Sequence, residues 1–180
     1  MPIYTKKGDK GETGLPGGRR LPKSEPVFDV LGNLDMVNSA IGLAIALLPK
    51  KMKDIIADLQ HIQQILLSIG ATIAAESANQ LALATNLKKE TNLLEDQIDT
   101  WDKALPELKN FILPGGSQAG AALHLTRSII RQAERSYQKT PNTKNFPEID
   151  AYLNRLSDYF FQVARFVNFQ LDSTEPTWKN

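Results

Sequence analysis

The chain has 180 residues, 42% of them hydrophobic, and a formal net charge of +1. That length allows one domain with a sizeable core and is short for two. Near-balanced charge argues against a general nucleic-acid binder, whose footprint is a basic excess, and the absence of cysteine excludes disulfides, thiolate catalysis and Cys-based zinc sites.

Residues 1–26 differ from everything after them. They hold glycines 8, 11, 14, 17 and 18, prolines 2, 16, 22 and 26, and the basic residues Lys6, Lys7, Lys10, Arg19, Arg20 and Lys23. This composition supports no helix and no long alternating strand. It fits either a flexible basic tail or a loop whose glycine backbone approaches phosphate oxygens while Lys and Arg neutralise them. Neither a Walker loop nor a G-x-G-x-x-G turn is present.

Helical spacing begins after Pro26. Val30, Leu34, Val37, Ile41, Ile45 and Leu48 form an inward seam that Pro49 stops, with Asp35, Asn38 and Gly42 beside it. Asp35 reads equally as surface polarity or as a carboxylate able to reach an arginine of a neighbouring helix. Met52, Ile55, Leu59, Ile62, Leu66, Ile69 and Ile73 mark a second helix, with His61 off its seam. Residues 77–89 either extend that helix or form a loop. Leu94, Ile98, Trp101 and Leu105 mark a shorter third helix ended by Pro106.

The stretch from Phe111 to Arg135, FILPGGSQAGAALHLTRSIIRQAER, is the organising one. Pro114-Gly115-Gly116 signals a turn, and Ser117 offers an N-cap oxygen to a fourth helix. His124, Arg127, Arg131 and Glu134 share one stripe, with Arg135 beside it; Ala122, Leu125, Ile129 and Ala133 lie opposite. The three guanidinium groups span on the order of 12 Å. After the loop 139–147, a fifth helix from about Glu148 to Gln170 turns Leu153, Leu156, Phe160, Val163 and Val167 inward and Asn154, Asp158, Gln162 and Arg165 outward. Residues 171–180 read as a frayed tail.

Five amphipathic helices without a convincing strand predict an all-α bundle behind an irregular Gly-rich arm, arranged as one domain over 1–180: arm 1–26, bundle 27–170, tail 171–180. A di-metal carboxylate site is excluded, because neither His61 nor His124 has a Glu three residues before it. No apolar run approaches the roughly 18 residues of a membrane span, and Met1 opens no signal peptide. The expectation is a soluble, cytoplasmic protein without membrane or nucleic-acid partners; a mature organellar form would look the same.

The opening YTKKGDKGETGLPGGRRLPK resembles the N-terminal signature of the trimeric corrinoid (ATP:cob(I)alamin) adenosyltransferases. LGNLDMVNSAIG, FILPGGSQAGAALHLTRSIIRQAER and YLNRLSDYFFQVAR are similar to that family's other motifs, in the same order. The resemblance implies a five-helix, ferritin-like bundle forming a homotrimer with ATP between subunits. The implied activity transfers the 5′-deoxyadenosyl group of ATP to Co(I) of a reduced corrinoid and releases triphosphate. By position, Thr5, Lys6, Lys7, Gly8, Thr13, Gly14 and Lys23 wrap the nucleotide, and Arg131, Glu134, Arg135 and Asn154 complete its pocket. The resemblance also implies an ion pair of Asp35 with Arg127 across the subunit junction. Phe111 lies against the corrin and helps keep the lower axial nitrogen off the metal. This chain departs from the family pattern at Met36, Gly14 and Gln132, where Glu, a small hydroxyl residue and a basic residue are usual; Met36 leaves Asp35 without its acidic neighbour.

The residues suit that chemistry. Co(I) attacks C5′ itself, so no protein nucleophile is needed, and the protein's tasks are alignment and charge stabilisation on departing triphosphate. ATP brings roughly four negative charges, which call for arginines, lysines and Mg²⁺ held by the phosphates. A reductase and an enzyme accepting adenosylcobalamin are the implied partners. The alternatives are a catalytically silent nucleotide- or corrinoid-sensing bundle and a helical adaptor with a basic arm; Arg131 together with Asn154 favours the enzyme.

Overall fold

Proline at a first helical position loses no hydrogen bond and presets the helical φ, and two helices begin on one. The structure, a computed structural model, describes residues 4, 6, 8–75, 80–140 and 146–178, with backbone alone for 80–85. Among these residues lie α1 (Pro26–Leu47), α2 (Lys53–Ala75), α3 (Gln80–Ala104), α4 (Gln118–Gln138) and α5 (Pro147–Gln170). Pro26 and Pro147 open α1 and α5, and Glu148 and Asp150 place carboxylates on the positive end of α5. At the other end of α1, the Leu48 N–H donates to Ala44 and Ile45 before Pro49 ends the run.

The all-α expectation holds. Helix α4 packs against both α1 and α5, α2 lies on α1, and α3 lies on α5. The contact between α2 and α3 is slight. The core is continuous from Val30, Leu34, Val37 and Ile41 through Leu123 and Ile130 to Leu153, Leu156, Phe160, Val163 and Val167. Trp101 stacks on Phe166 at 5.5 Å and meets Tyr159 at 5.1 Å, fixing α3 to α5. Each such buried large side chain contributes roughly 1.5–3 kcal/mol.

Several sequence readings are corrected. The third helix is longer than expected: α3 runs from Gln80, so residues 80–89 begin it rather than extend α2, while 77–79 lie outside the described residues. The arm carries a short antiparallel hairpin, β1 (Glu12–Gly14) and β2 (Arg20–Pro22), pairing Thr13 with Leu21. Three-residue strands are too short for alternation to announce them. By length and composition α1 is apolar enough to cross a membrane, contrary to the reading that no such run exists, and only 28% of that window is buried within the chain.

The tail is also not frayed over its described part. Leu113 N–H donates to Pro176 O at 2.7 Å and Trp178 N–H to Phe111 O at 2.8 Å, pairing the tail with the strand-like entry to α4. Arg165, expected outward, is 4% exposed. Its Nε donates to Glu175 Oε2 at 3.2 Å and its Nη2 to Pro106 O at 3.0 Å, so two chain segments cover it. Gln162 is likewise buried and donates to Asp102 Oδ1 at 2.8 Å. Long-range partners of this kind leave no mark on helical periodicity.

The Pro114–Ser117 turn is locked from α5. The fully buried Asn168 accepts from Ser117 N–H and Oγ–H, each at 2.9 Å, and donates to Gly115 O at 2.9 Å. Ser117 Oγ in turn accepts from Gly120 N–H at 3.0 Å, the expected N-cap. Gly116 has φ +94, and a Cβ at Gly116 or Gly120 would strike the Asn168 side chain. Gly120→Ala is therefore expected to destabilise the fold by about 1–3 kcal/mol, read as a lower denaturant midpoint. An unchanged midpoint would mean Asn168 yields freely.

Candidate active site

Helix α4 carries the chemistry because its two sides face different surroundings. Ala122, Leu123, Ile130 and Ala133 are buried against α1 and α5. Leu125, expected inward, is instead 54% exposed, and Ile129 is half-buried. The inward arc is thus rotated toward His124 and Thr126, both buried.

At the N-terminal half of α4 lies a cleft of about 940 Å³. It is lined by Leu108, Phe111, Ile112 and Pro114, by Trp178 of the tail segment paired with them, and by His124, Arg127 and Phe161. Phe111 is 79% exposed at the rim, its ring 6.5 Å from that of Trp178. A large apolar side chain so exposed beside an apolar cleft marks a ligand surface. Sequence reasoning missed Phe161 and Trp178. Phe161 neighbours the core residue Phe160 but falls off the inward seam, and Trp178 sits in a polar tail whose pairing is long-range.

Arg127 is half-buried, and its Nε has no hydrogen-bond partner among the described residues. Burial first, then the field of Arg131, holds its guanidinium below its ordinary pKa. Among the described residues no carboxylate pairs with Arg127, Arg131 or Arg135. Three cations on one helix without an ion-pair partner, with Glu134 beside them engaged by Asn154, form a site for anions brought from outside the chain. Asp35 is exposed in a different place, a groove between α1 and α2 lined by Asn38, Gly42 and Gln63. Within one chain, Asp35 and Arg127 do not meet.

Further along α4, Arg131 and Arg135 are exposed, and Asn154 on α5 donates to Glu134 Oε1 at 2.9 Å. Glu134 and Asn154 are therefore brought together as one polar platform. Arg135 also borders a groove between α1 and α4, where Gln132 donates to Asn33 Oδ1 at 3.0 Å and Met36 lies nearby. Two of the three departures thus share this groove. Met36 bears on the α1–α4 side, away from the groove that Asp35 lines with α2 residues.

In the arm, Lys23 N–H donates to Gly11 O at 2.8 Å, and the Lys23 ammonium lies over Gly8. A Cβ at Gly8 would stand 3.4 Å from Lys23 Nζ. Lys6 adopts φ +57 with its ammonium 6.0 Å from the Tyr4 ring, and Thr13 and Gly14 lie in β1. Gly8, Thr13, Gly14 and Lys23 are thereby held on one folded arm. Thr5 and Lys7 lie outside the described residues. The hairpin makes no substantial packing against the helices of its own chain among the described residues.

His61, read as a surface residue, is half-exposed and bonds Glu90 Oε2 at 2.8 Å. His124 differs. It is 2% exposed, its ring meets Phe161 edge-on at 6.0 Å, and neither ring nitrogen has a hydrogen-bond partner among the described residues. Burial first, then Arg127 and Arg165, depresses its pKa from 6.5 to about 4. The unfolded chain therefore takes up this proton first as the pH falls. The stability contribution is intact above pH 6.5 and is lost as the pH drops from 6.5 toward about 4. Between pH 7 and pH 5 the native chain should lose more stability in denaturant titrations than His124→Gln; equal losses would contradict this assignment.

Comparison with known proteins agrees with this geometry. The family model for cobalamin adenosyltransferase matches residues 3–167. A corrinoid adenosyltransferase of Bacillus subtilis is 43% identical over 171 residues, covering 93% of this chain and 87% of the relative. One from Mus musculus is 39% identical, covering 98% and 77%. Among solved structures, a phenylalanine-substituted variant of a PduO-type ATP:corrinoid adenosyltransferase from Lactobacillus reuteri, complexed with cobalamin and ATP, superposes with TM-score 0.87 at 32% identity over 99% of this chain and 97% of that one. An arginine-to-lysine variant of the enzyme with ATP gives TM-score 0.86 at 32% identity, covering 98% and 100%. With the family model matched over residues 3–167 and a relative 43% identical, and with a 940 Å³ cleft and an arginine row on the same helix, the chain belongs to the cobalamin adenosyltransferase family.

Proposed function

We infer that this chain transfers the 5′-deoxyadenosyl group of ATP to the cobalt of a reduced corrinoid, forming adenosylcobalamin and releasing triphosphate. Co(I) supplies both electrons of the new Co–C bond, the C5′–O bond breaks, and triphosphate leaves with that electron pair. The observation that carries the reading is the layout of α4: Arg127 lines the apolar cleft, and Arg131 stands one turn, about 6 Å, further on. A corrinoid in the cleft and a triphosphate on Arg131 are then neighbours, as in-line displacement demands.

Each residue has a role in this proposal. Arg131 stabilises charge on the leaving triphosphate, and Glu134, Asn154 and Arg135 hold the nucleotide. Thr5, Lys6, Lys7, Gly8, Thr13, Gly14 and Lys23 close over it as the arm. Phe111 covers the corrin face where a lower nitrogen ligand would sit and excludes water from it. Arg127 pairs with Asp35 of an adjacent subunit, since the two stand apart within one chain. The described residues gather no group of three or more His, Cys, Asp or Glu side chains for a metal. Mg²⁺ therefore enters on the triphosphate, where it would supply charge neutralisation.

The exposed apolar side chains Met36, Leu43 and Leu47 of α1 and Leu67 of α2 support a homo-oligomer, a trimer with ATP at its junctions. Sedimentation equilibrium is expected to give a mass three times that of the 20.0 kDa chain; a monomer would remove the junctional roles of Asp35 and the arm. A reductase upstream and an adenosylcobalamin-dependent enzyme downstream complete the scheme, in a soluble cytoplasmic setting. The activity is tested by mixing the protein anaerobically with Mg-ATP and chemically reduced cobalamin. ATP-dependent loss of the Co(I) absorbance with one triphosphate per turnover is the expected result. Bound ATP without alkylation would favour the sensing bundle.

A further inference from the structure

A neutral imidazole has one donor and one acceptor nitrogen, and a buried one without partners is costly unless something supplies them. In His124, which lines the cleft proposed for the corrinoid, both nitrogens are buried and without a hydrogen-bond partner among the described residues. One turn along the same helix, Arg127 lines the same cleft, and its Nε is a buried donor equally without a partner among the described residues. Phe161 holds the imidazole edge-on from α5, and the charged groups facing it are Arg127 and Arg165.

We propose that His124 is a positioning residue linking corrinoid binding to Arg127: one ring nitrogen accepts from Arg127 Nε–H while the other donates to a carbonyl of a corrinoid side-chain amide. Filling the cleft then fixes the imidazole, and the imidazole aims the guanidinium fork toward its anionic partner. Held neutral down to about pH 4, the ring keeps its acceptor lone pair throughout the physiological range. This role rests on the adenosyltransferase reading and adds a residue to it.

The test is a double-mutant cycle in the adenosylation assay with ATP and reduced cobalamin. His124→Phe keeps the ring volume and the contact with Phe161 but removes both nitrogens. Arg127→Lys keeps the charge but removes Nε–H. His124→Phe is expected to raise the KM for the corrinoid and lower kcat, with a combined loss of roughly tenfold or more, and to leave the KM for ATP unchanged. In the Arg127→Lys background the same change should cost much less, and His124→Gln, with one donor and one acceptor, should restore most activity. Additive losses, or a His124→Phe enzyme with native parameters, would overturn the proposal. If His124→Phe does not fold, His124→Gln and His124→Leu carry the comparison, with thermal melting as control; equal kinetics in those two would equally overturn it. An inactive native enzyme would instead defeat the adenosyltransferase reading itself.

Discussion

Arg131→Ala is expected to lower the rate of adenosyl transfer by roughly 10²–10³. Arg131 is exposed on α4 and has no carboxylate partner among the described residues, and its field already depresses Arg127. A cation kept beside another cation, with the nearby Glu134 engaged by Asn154 and no ion pair formed among the described residues, is in place for charge that arrives with substrate. Triphosphate acquires charge as the C5′–O bond breaks, so losing this guanidinium raises the barrier more than it weakens ATP binding. Because the side chain is exposed, its removal should leave the melting temperature nearly unchanged. Steady-state kinetics with both substrates check this, and near-native turnover would remove Arg131 from the role assigned to it.

Phe111→Ala should act on the other substrate. Its ring is 79% exposed at the cleft rim, with the Trp178 ring 6.5 Å away, so the fold loses little with it. The cleft loses its outer apolar wall, water reaches the corrin face, and corrinoid alkylation is expected to slow by at least about tenfold, given the 1.5–3 kcal/mol a buried Phe contributes once the ligand covers it. ATP affinity measured by calorimetry should stay close to native. Loss of ATP binding with an unchanged alkylation rate would mean that Phe111 belongs to the nucleotide pocket.

The helices were legible in the sequence where apolar spacing alone decides burial. The seam of α1 from Val30 to Ile41, the Ser117 cap and the inward face of α5 are all present as read. Reading failed where a distant segment supplies the partner. Arg165 and Gln162 are buried because Glu175, Pro106 and Asp102 meet them, and none of those is at helical spacing. Leu125 is exposed because the buried arc of α4 is turned toward His124, a shift of about 100° that apolar counting cannot resolve.

The site shows the same division. Phe111 and Arg127 line one cleft and Glu134 meets Asn154, while two further residues of the cleft lining, Phe161 and Trp178, came only from packing. Asp35 and Arg127 illustrate the limit from the other side. They line different grooves of one chain, so the proposed pair between them requires a second copy.

A crystal structure with ATP bound tests the central claim most directly. The triphosphate should lie under the arm of one subunit, against Gly8, Thr13 and Lys23, and on Arg131 of the adjacent subunit's α4, with C5′ facing the Phe111 cleft. ATP seated elsewhere, with the arm off the nucleotide and Arg131 turned to solvent, would contradict the account.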